Sequence, residues 1–495
     1  MVSEEGLNAY GAVTWGQFFV YQGFNEYCGW MHTSSMADGT DLYADYLIEK
    51  NKQFFTTYDD SLKPVQQKQL SFRSKRNDSF GDYSLPAYVT HHGPVVGKTP
   101  DGKLLSLKTF HDPLRSLQQS WQRTKAKNLA EFTDIMQLRT NTSTNTVYAD
   151  KEGNIAYWHG NFIPKRDPKY DWTQPVDGSH AKTAWNGAHD LKEIVHVVNP
   201  QQGFIQNCNS SPFHVSGMNS IDQKSYPVYM APDGENFRSL FAIKELEKEN
   251  SYTIDKMIAL GYSRYLSAFD SLLPPLFNAY QNLAANDPLQ KEMFAQINML
   301  KNWDRKSSIT SSATTLAILW AYNILQKASP ELAGESSNSQ SEWMTAIAKN
   351  TAPQNLLISL QETTQQLTSL FGSWQVPWGN INRYQRNAKG NFDDNKESLP
   401  VGLASAIFGS LPSFEPVWYK TSKGYGTAGN SFVAAVEFGD RIKAKAIIPG
   451  GQSFNPSSKH FNDQAERYIT GNLRDVFFYR DDVEKHKEKK YKPGE

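Results

Sequence analysis

A chain of 495 residues with 51 Lys and Arg against 51 Asp and Glu has no formal net charge. That excludes the strong field that would draw nucleic acid or an anionic membrane to it. Its length allows two or three compact domains, or one large domain with insertions. Two cysteines, Cys28 and Cys208, are too few for a disulfide scaffold or a zinc site, and the sequence leaves open whether they pair.

The opening residues, "MVSEEGLNAYGAV", are acidic and lack the apolar core of an export signal. The longest apolar stretch, residues 313–325, is too short for a bilayer and holds Thr, Tyr and Asn. The expectation is a soluble chain with no membrane partner. Its 27 Phe, 24 Tyr and 12 Trp could line a pocket for an apolar or sugar ligand, but core burial is the default for such residues.

The first stretch with chemical promise is "GFNEYCGWMHTSSMADGTDLYAD", residues 23–45. It sets His32 beside Thr33, Ser34 and Ser35. A serine nucleophile needs a base and usually a strained G-x-S-x-G turn, which is absent, so "HTSS" reads as a polar strand end. Asp38 and Asp41, with the carbonyl of Thr40, offer hard oxygen ligands on a Gly-containing loop. Their spacing is not that of an EF-hand, and an Asx-turn with solvated carboxylates is the open alternative.

Two hairpins follow, around Pro100-Asp101-Gly102 and Lys151-Glu152-Gly153, each flanked by short apolar runs. Between them residues 114–139 have helical spacing. His91 and His92, adjacent on a strand, would face opposite ways and so read as structural. "NPQQGFIQNCNSSPF", residues 199–213, is rich in Asn. An Asn amide can hold a developing oxyanion, though Asn and Ser before Pro also favour a plain turn.

After Arg238 the pattern is helical almost to Trp374. Thr253 suits an N-cap before the stripe Ile254, Met257, Ile258, Tyr262. Leu356, Leu360, Leu367, Leu370 and Phe371 form another stripe, closed by Gly372. "SPELAGESSNSQSE" reads as a surface loop. Strands return with a hairpin at Gly439-Asp440, and the charged run "DDVEKHKEKKYKPGE" reads as a solvated end. Strands at both ends with helices between them give α+β, with one sheet completed by distant segments.

Taken in order, these blocks resemble the β-subunit of the penicillin acylase family of N-terminal nucleophile hydrolases, which includes acyl-homoserine-lactone acylases. The resemblance rests on "GFNEYCGWMHTSS", "HHGPVV", "TNTVYADKEGNIAYWHGNFIPKR", "QPVDGS", "NPQQGFIQNCNSSP", "NFRSLFAIKEL", "VPWGNINR" and "IIPGGQSFNPSSKHFNDQ". It implies an αββα sandwich of antiparallel sheets with a helical middle: residues 1–238 and 376–495 as the β-rich core, and 239–375 as the helical segment.

It also implies hydrolysis of a linear, non-peptide amide through an acyl-enzyme on an N-terminal Ser. Carried over position by position, the backbone N–H of Ser34 and the amide of Asn209 form the oxyanion hole, and Arg238 orients Asn209 or the substrate. His32 and Met36 fall at the substrate pocket. Asp38, Thr40 and Asp41, with Asp222 as a further carboxylate, match a structural calcium site. The family's attacking Ser has no counterpart here, because the chain opens with Met1-Val2 and Ser3 lies too close to "GFNEY". The expectation is therefore a β-subunit portion, inactive alone, whose partners are a small N-acyl amide and the missing α-subunit or N-terminal segment of the same precursor. The resemblance further implies a periplasmic or secreted enzyme. Two alternatives from other classes are a non-catalytic calcium-dependent binding module and a glycosidase.

Overall fold

A computed structural model describes residues 1–329, 338–387 and 390–492. Its organising element is a six-stranded antiparallel sheet in the order Ala9–Ala12, Gln22–Asn25, Cys28–Ser34, Thr144–Asp150, Ile155–Trp158, His196–Val198. The period of two in the strand Cys28–Ser34 decides what each face does. Cys28 and Trp30 join Tyr148, Ala156 and Trp158 against Phe132 and Met136 of an overlying helical layer. On the other face the Phe24 ring lies 5.3 Å from Phe478, and Gly29 sits under Phe438.

Phe478 and Phe438 flank the C-terminal sheet Val433–Glu437, Lys443–Ile447, Arg474–Asp475. Beyond it the helices Ile254–Gly261 and Ala465–Thr470 seal the outer side, where Ile258, Tyr262, Tyr468 and Ile469 pack with Tyr384, Phe414 and Ile447. The result is helix, sheet, sheet, helix: the αββα sandwich that the resemblance implied, with strands supplied from both ends of the chain.

The expected helix over 114–139 is two helices, Pro113–Arg123 and Leu129–Met136. The break is held from the sheet. Asn25 Nδ2 donates to the carbonyls of Thr124 and Ala126 at 3.2 and 2.8 Å, and Asn128 caps the second helix by accepting from the Glu131 N–H. Both predicted hairpins form, Val95–Lys98 with Leu104–Thr109 and Thr144–Asp150 with Ile155–Trp158, and the Gly439-Asp440 hairpin forms as well. Thr253 caps its helix through Lys256 N–H.

In the helical middle, Phe269–Gln281, Ser312–Lys327, Gln340–Asn350 and Pro353–Phe371 enclose a dense core around Trp320, whose indole N–H donates to Leu356 O at 3.1 Å. The stripe on the last of these reaches its predicted end at Phe371, which packs against the core, but Leu370 is exposed. The loop predicted over "SPELAGESSNSQSE" lies largely outside the described residues. Within the charged terminal run, Arg480–His486 is a short helix. Cys28 and Cys208 are unpaired: the buried Cys28 thiol donates to Ala126 O at 3.3 Å, and burial pushes its pKa up to about 12. Among the described residues no helix is long and apolar enough to cross a membrane.

Candidate active site

The strand Cys28–Ser34 runs out of its sheet at Ser34. Ser35 N–H donates to Ser143 O at 3.0 Å, so the next pair along, Ser34 with Thr144, is a non-hydrogen-bonded one. The N–H and C=O of Ser34 therefore point away from Thr144–Asp150. They point towards the side where pairing with Gln22–Asn25 has already ended at Gly23–Trp30. His32 N–H leaves on the same side and reaches Gln22 Oε1 at 3.5 Å.

Asn209 meets Ser34 on that open side. Its Nδ2 donates to Ser34 O at 3.0 Å. Its backbone adopts a left-handed conformation, φ 59°, which Asn tolerates better than most residues. Arg238, in the first turn of the helix Phe237–Leu246, donates from Nη2 to Cys208 O at 2.7 Å and to Asn209 Oδ1 at 3.0 Å. Guanidinium is only a donor, so it must face the amide oxygen and leaves the amide nitrogen turned to Ser34. Asn236 adds bonds to the carbonyls of Cys208 and Asn209. The sequence-derived trio Ser34, Asn209 and Arg238 is thus one cluster, with two N–H donors side by side on an exposed edge.

A buried polar network that the sequence reading did not find lies beneath it. Asn207 Oδ1 accepts from the Thr33 hydroxyl at 2.5 Å, from Asn145 Nδ2 at 3.2 Å and from the Asn209 N–H at 3.0 Å. Asn145 Oδ1 takes Tyr157 OH at 2.6 Å and bonds His159 Nδ1 at 2.8 Å. His159 Nε2 is 3.5 Å from Asp233 Oδ2, and Asp233 Oδ1 accepts the Met36 N–H at 2.8 Å. The chain of contacts leaves the strand at Thr33 and returns to the main chain at Met36, just past the strand, bracketing Ser34. Burial lowers the His159 pKa to about 4 and raises that of Asp233 to about 6, so both groups favour their neutral forms. The one advance signal was the density of Asn and His in "TNT", "WHGN" and "IQNCN", whose members meet only through the fold.

His32 was expected at the substrate pocket. Side-chain alternation turns it to the opposite face from Thr33, where its ring lies 4.9 Å from Tyr21 and its Nδ1 bonds Asn145 O at 3.1 Å. Burial, then the charge of Arg123, holds its pKa well below the usual range. Met36 is exposed just beyond Ser34, pinned through its backbone by Asp233. His91 and His92 lie in a tight turn closed by Thr90 and Gly93, not on a strand. Their rings are 3.8 Å apart, with His92 stacked on Tyr43.

The predicted calcium ligands are only partly assembled. Asp38 and Asp41 converge, but on Arg166: its Nη2 is 3.2 Å from Asp38 Oδ2 and its Nε 2.8 Å from Asp41 Oδ2. Trp185 Nε1 also donates to Asp41 Oδ2. Asp38 Oδ1 accepts from Thr40 N–H at 2.9 Å. Asp222 caps its own short turn through Lys224 N–H and lines a separate cavity with Phe213 and Tyr226. A donor-only guanidinium among oxygen ligands does not fit a divalent ion in this geometry. Among the described residues no group of three or more His, Cys, Asp or Glu is placed to hold one.

Comparison with known proteins agrees with this architecture. The sequence profile of the penicillin amidase family matches residues 2–485. Penicillin G acylase of Escherichia coli is 23% identical over 98% of this chain and 61% of its own length. The acyl-homoserine lactone acylase PvdQ of Pseudomonas savastanoi pv. phaseolicola is 22% identical over 93% of this chain and 62% of its own length. The chain therefore spans about three-fifths of the length of these relatives. A solved structure of a thermostable penicillin G acylase from Alcaligenes faecalis superposes with a TM-score of 0.70 at 19% identity, covering 99% of this chain and 92% of that one.

Proposed function

Because this chain belongs to the penicillin amidase family, we propose that it carries the oxyanion-binding part of an acylase that hydrolyses linear, non-peptide amides. The observation that supports this most directly is the pairing of Ser34 with Asn209. One hydrogen of Asn209 Nδ2 rests on Ser34 O at 3.0 Å, leaving the second for the site. The Ser34 N–H points to the same side.

In this reading a hydroxyl attacks the amide carbon, and the carbonyl oxygen becomes an oxyanion held by Ser34 N–H and Asn209 Nδ2. The C–N bond then breaks, the amine leaves carrying a proton, and water hydrolyses the resulting ester to a carboxylic acid and the restored hydroxyl. The attacking group is an N-terminal Ser from the portion of the relatives' length that this chain does not span. Within the buried network beneath the donors, the Thr33 hydroxyl is committed to Asn207. The same reading makes the substrate a small N-acyl amide and the working location periplasmic or extracellular, both by relationship to the family.

The test is acyl release from a panel of N-acyl amides, with phenylacetyl and fatty-acyl amines included, by the protein expressed from its full native locus. Release of free acid that is lost in Asn209→Ala supports the reading. A folded protein that releases no acid from any member, or an Asn209→Ala variant as active as wild type, removes it.

A further inference from the structure

The Asp38–Asp41 turn is neutralised from within. The Arg166 side chain is fully buried between two aromatic rings, its Cζ 5.6 Å from the centroids of Trp172 and Tyr229. Its backbone N–H donates to Tyr229 OH at 3.3 Å, and that hydroxyl is itself bonded to His189 at 2.9 Å. The guanidinium is thus boxed on both faces and held by its main chain, and its edge is presented to both carboxylates.

A second cation stands beside it. Lys108 is the cross-strand partner of Asp41, and its ammonium lies over Trp185 at 4.9 Å and Tyr43 at 5.8 Å. The two carboxylates are thus ion-paired to Arg166, and Lys108 adds a positive charge near Asp41 without an ion pair to it. Calcium would need six to eight oxygens at about 2.3–2.6 Å. To reach Asp38 and Asp41 it would have to expel a buried, caged guanidinium and leave that charge unpaired, which is strongly unfavourable.

We propose that Arg166, supported by Lys108, is the resident cation of this turn, and that the fold is held there without calcium. The inference is independent of the catalytic reading, because it concerns what neutralises two carboxylates and is read without substrate. Wild-type protein equilibrated with millimolar calcium, desalted and analysed by elemental mass spectrometry should hold far less than one calcium per chain. Its thermal midpoint should be unchanged by EDTA. Near-stoichiometric calcium, or a midpoint that falls on chelation and recovers with calcium, overturns the proposal.

Arg166→Gln supplies the second arm, since it removes the charge and offers an amide oxygen in its place. It should unfold at a lower temperature than wild type and be raised towards it by calcium. A Gln variant as stable as wild type in EDTA overturns the role given to the guanidinium. Should the variant fail to fold, the wild-type measurements decide alone.

Discussion

Arg238 Nη2 lies 3.0 Å from Asn209 Oδ1, and that contact fixes which way the Asn209 amide faces. It gives two separable predictions. Asn209→Ala removes an oxyanion donor from an exposed side chain, so kcat should fall by about 10²–10³ with little change in thermal midpoint. Arg238→Met leaves the donor but frees the amide to rotate, so the loss should be smaller, on the order of tenfold, and should fall on kcat more than on KM. Steady-state kinetics on one amide substrate checks both. Equal losses in the two variants would mean that Arg238 contacts substrate directly.

Much of this arrangement was readable before the fold, and the division follows from physics. Ser34, Asn209 and Arg238 were placed by motif order, and the structure brings all three together. Hairpins with Gly at the turn were legible because Gly102 and Gly153 adopt positive φ, where few other residues fit. The paired strands Gln66–Arg76 and Ser79–Val89 were not read: their turn uses Asn77 at φ 53°, and both strands are largely exposed, so apolar alternation is faint. The contacts of His32 were not read, because motif position says nothing of which face a strand residue takes. Asn145, His159 and Asp233 were not read as a network, because the density of Asn and His was the only local sign and its members meet across long sequence separations. Arg166 was missed because carboxylate spacing alone does not reveal which cation they face.

Asn145 should be the most sensitive member of the buried network. It is fully buried, and its amide serves Thr33, Asn207, Tyr157 and His159 at once. Asn145→Ala leaves those partners unsatisfied without water to replace it, at a cost of about 2–4 kcal/mol. Chemical denaturation measures it. A change within about 0.5 kcal/mol of wild type would show that the network is not a stabilising unit.

Gly372 ends the helix Pro353–Phe371 at φ 77°, with no atom within 4 Å of where a Cβ would stand. Gly372→Ala should therefore cost only the left-handed backbone, about 1 kcal/mol. Gly409, at φ 88°, differs: a Cβ there would lie 2.1 Å from Ser267 Oγ and 3.0 Å from its backbone nitrogen. Gly409→Ala should cost clearly more, because conformational and steric terms add. Equal unfolding midpoints for the two variants would contradict this ranking.

The buried His159–Asp233 pair should make the molecule less sensitive to acid than either member would alone. Burial depresses His159 from 6.5 to about 4, so the folded state binds fewer protons there than the unfolded chain. Stability from that term is present above 6.5 and is lost as pH falls towards 4. Burial raises Asp233 from 3.8 to about 6, so its term has the opposite sign: it is present below 3.8 and lost as pH rises through 6. Over the shared window the two slopes nearly cancel. Asp233→Asn removes one of them and leaves the histidine term exposed. Relative to wild type, the variant should lose stability on acidification from about pH 6 to 3.8, the window set by Asp233, with a slope approaching about 1.4 kcal/mol per unit. Urea unfolding of both proteins at matched pH isolates the Asp233 term, since the other groups cancel in the difference. A difference that stays flat across the window would show that burial does not raise Asp233 in the folded state.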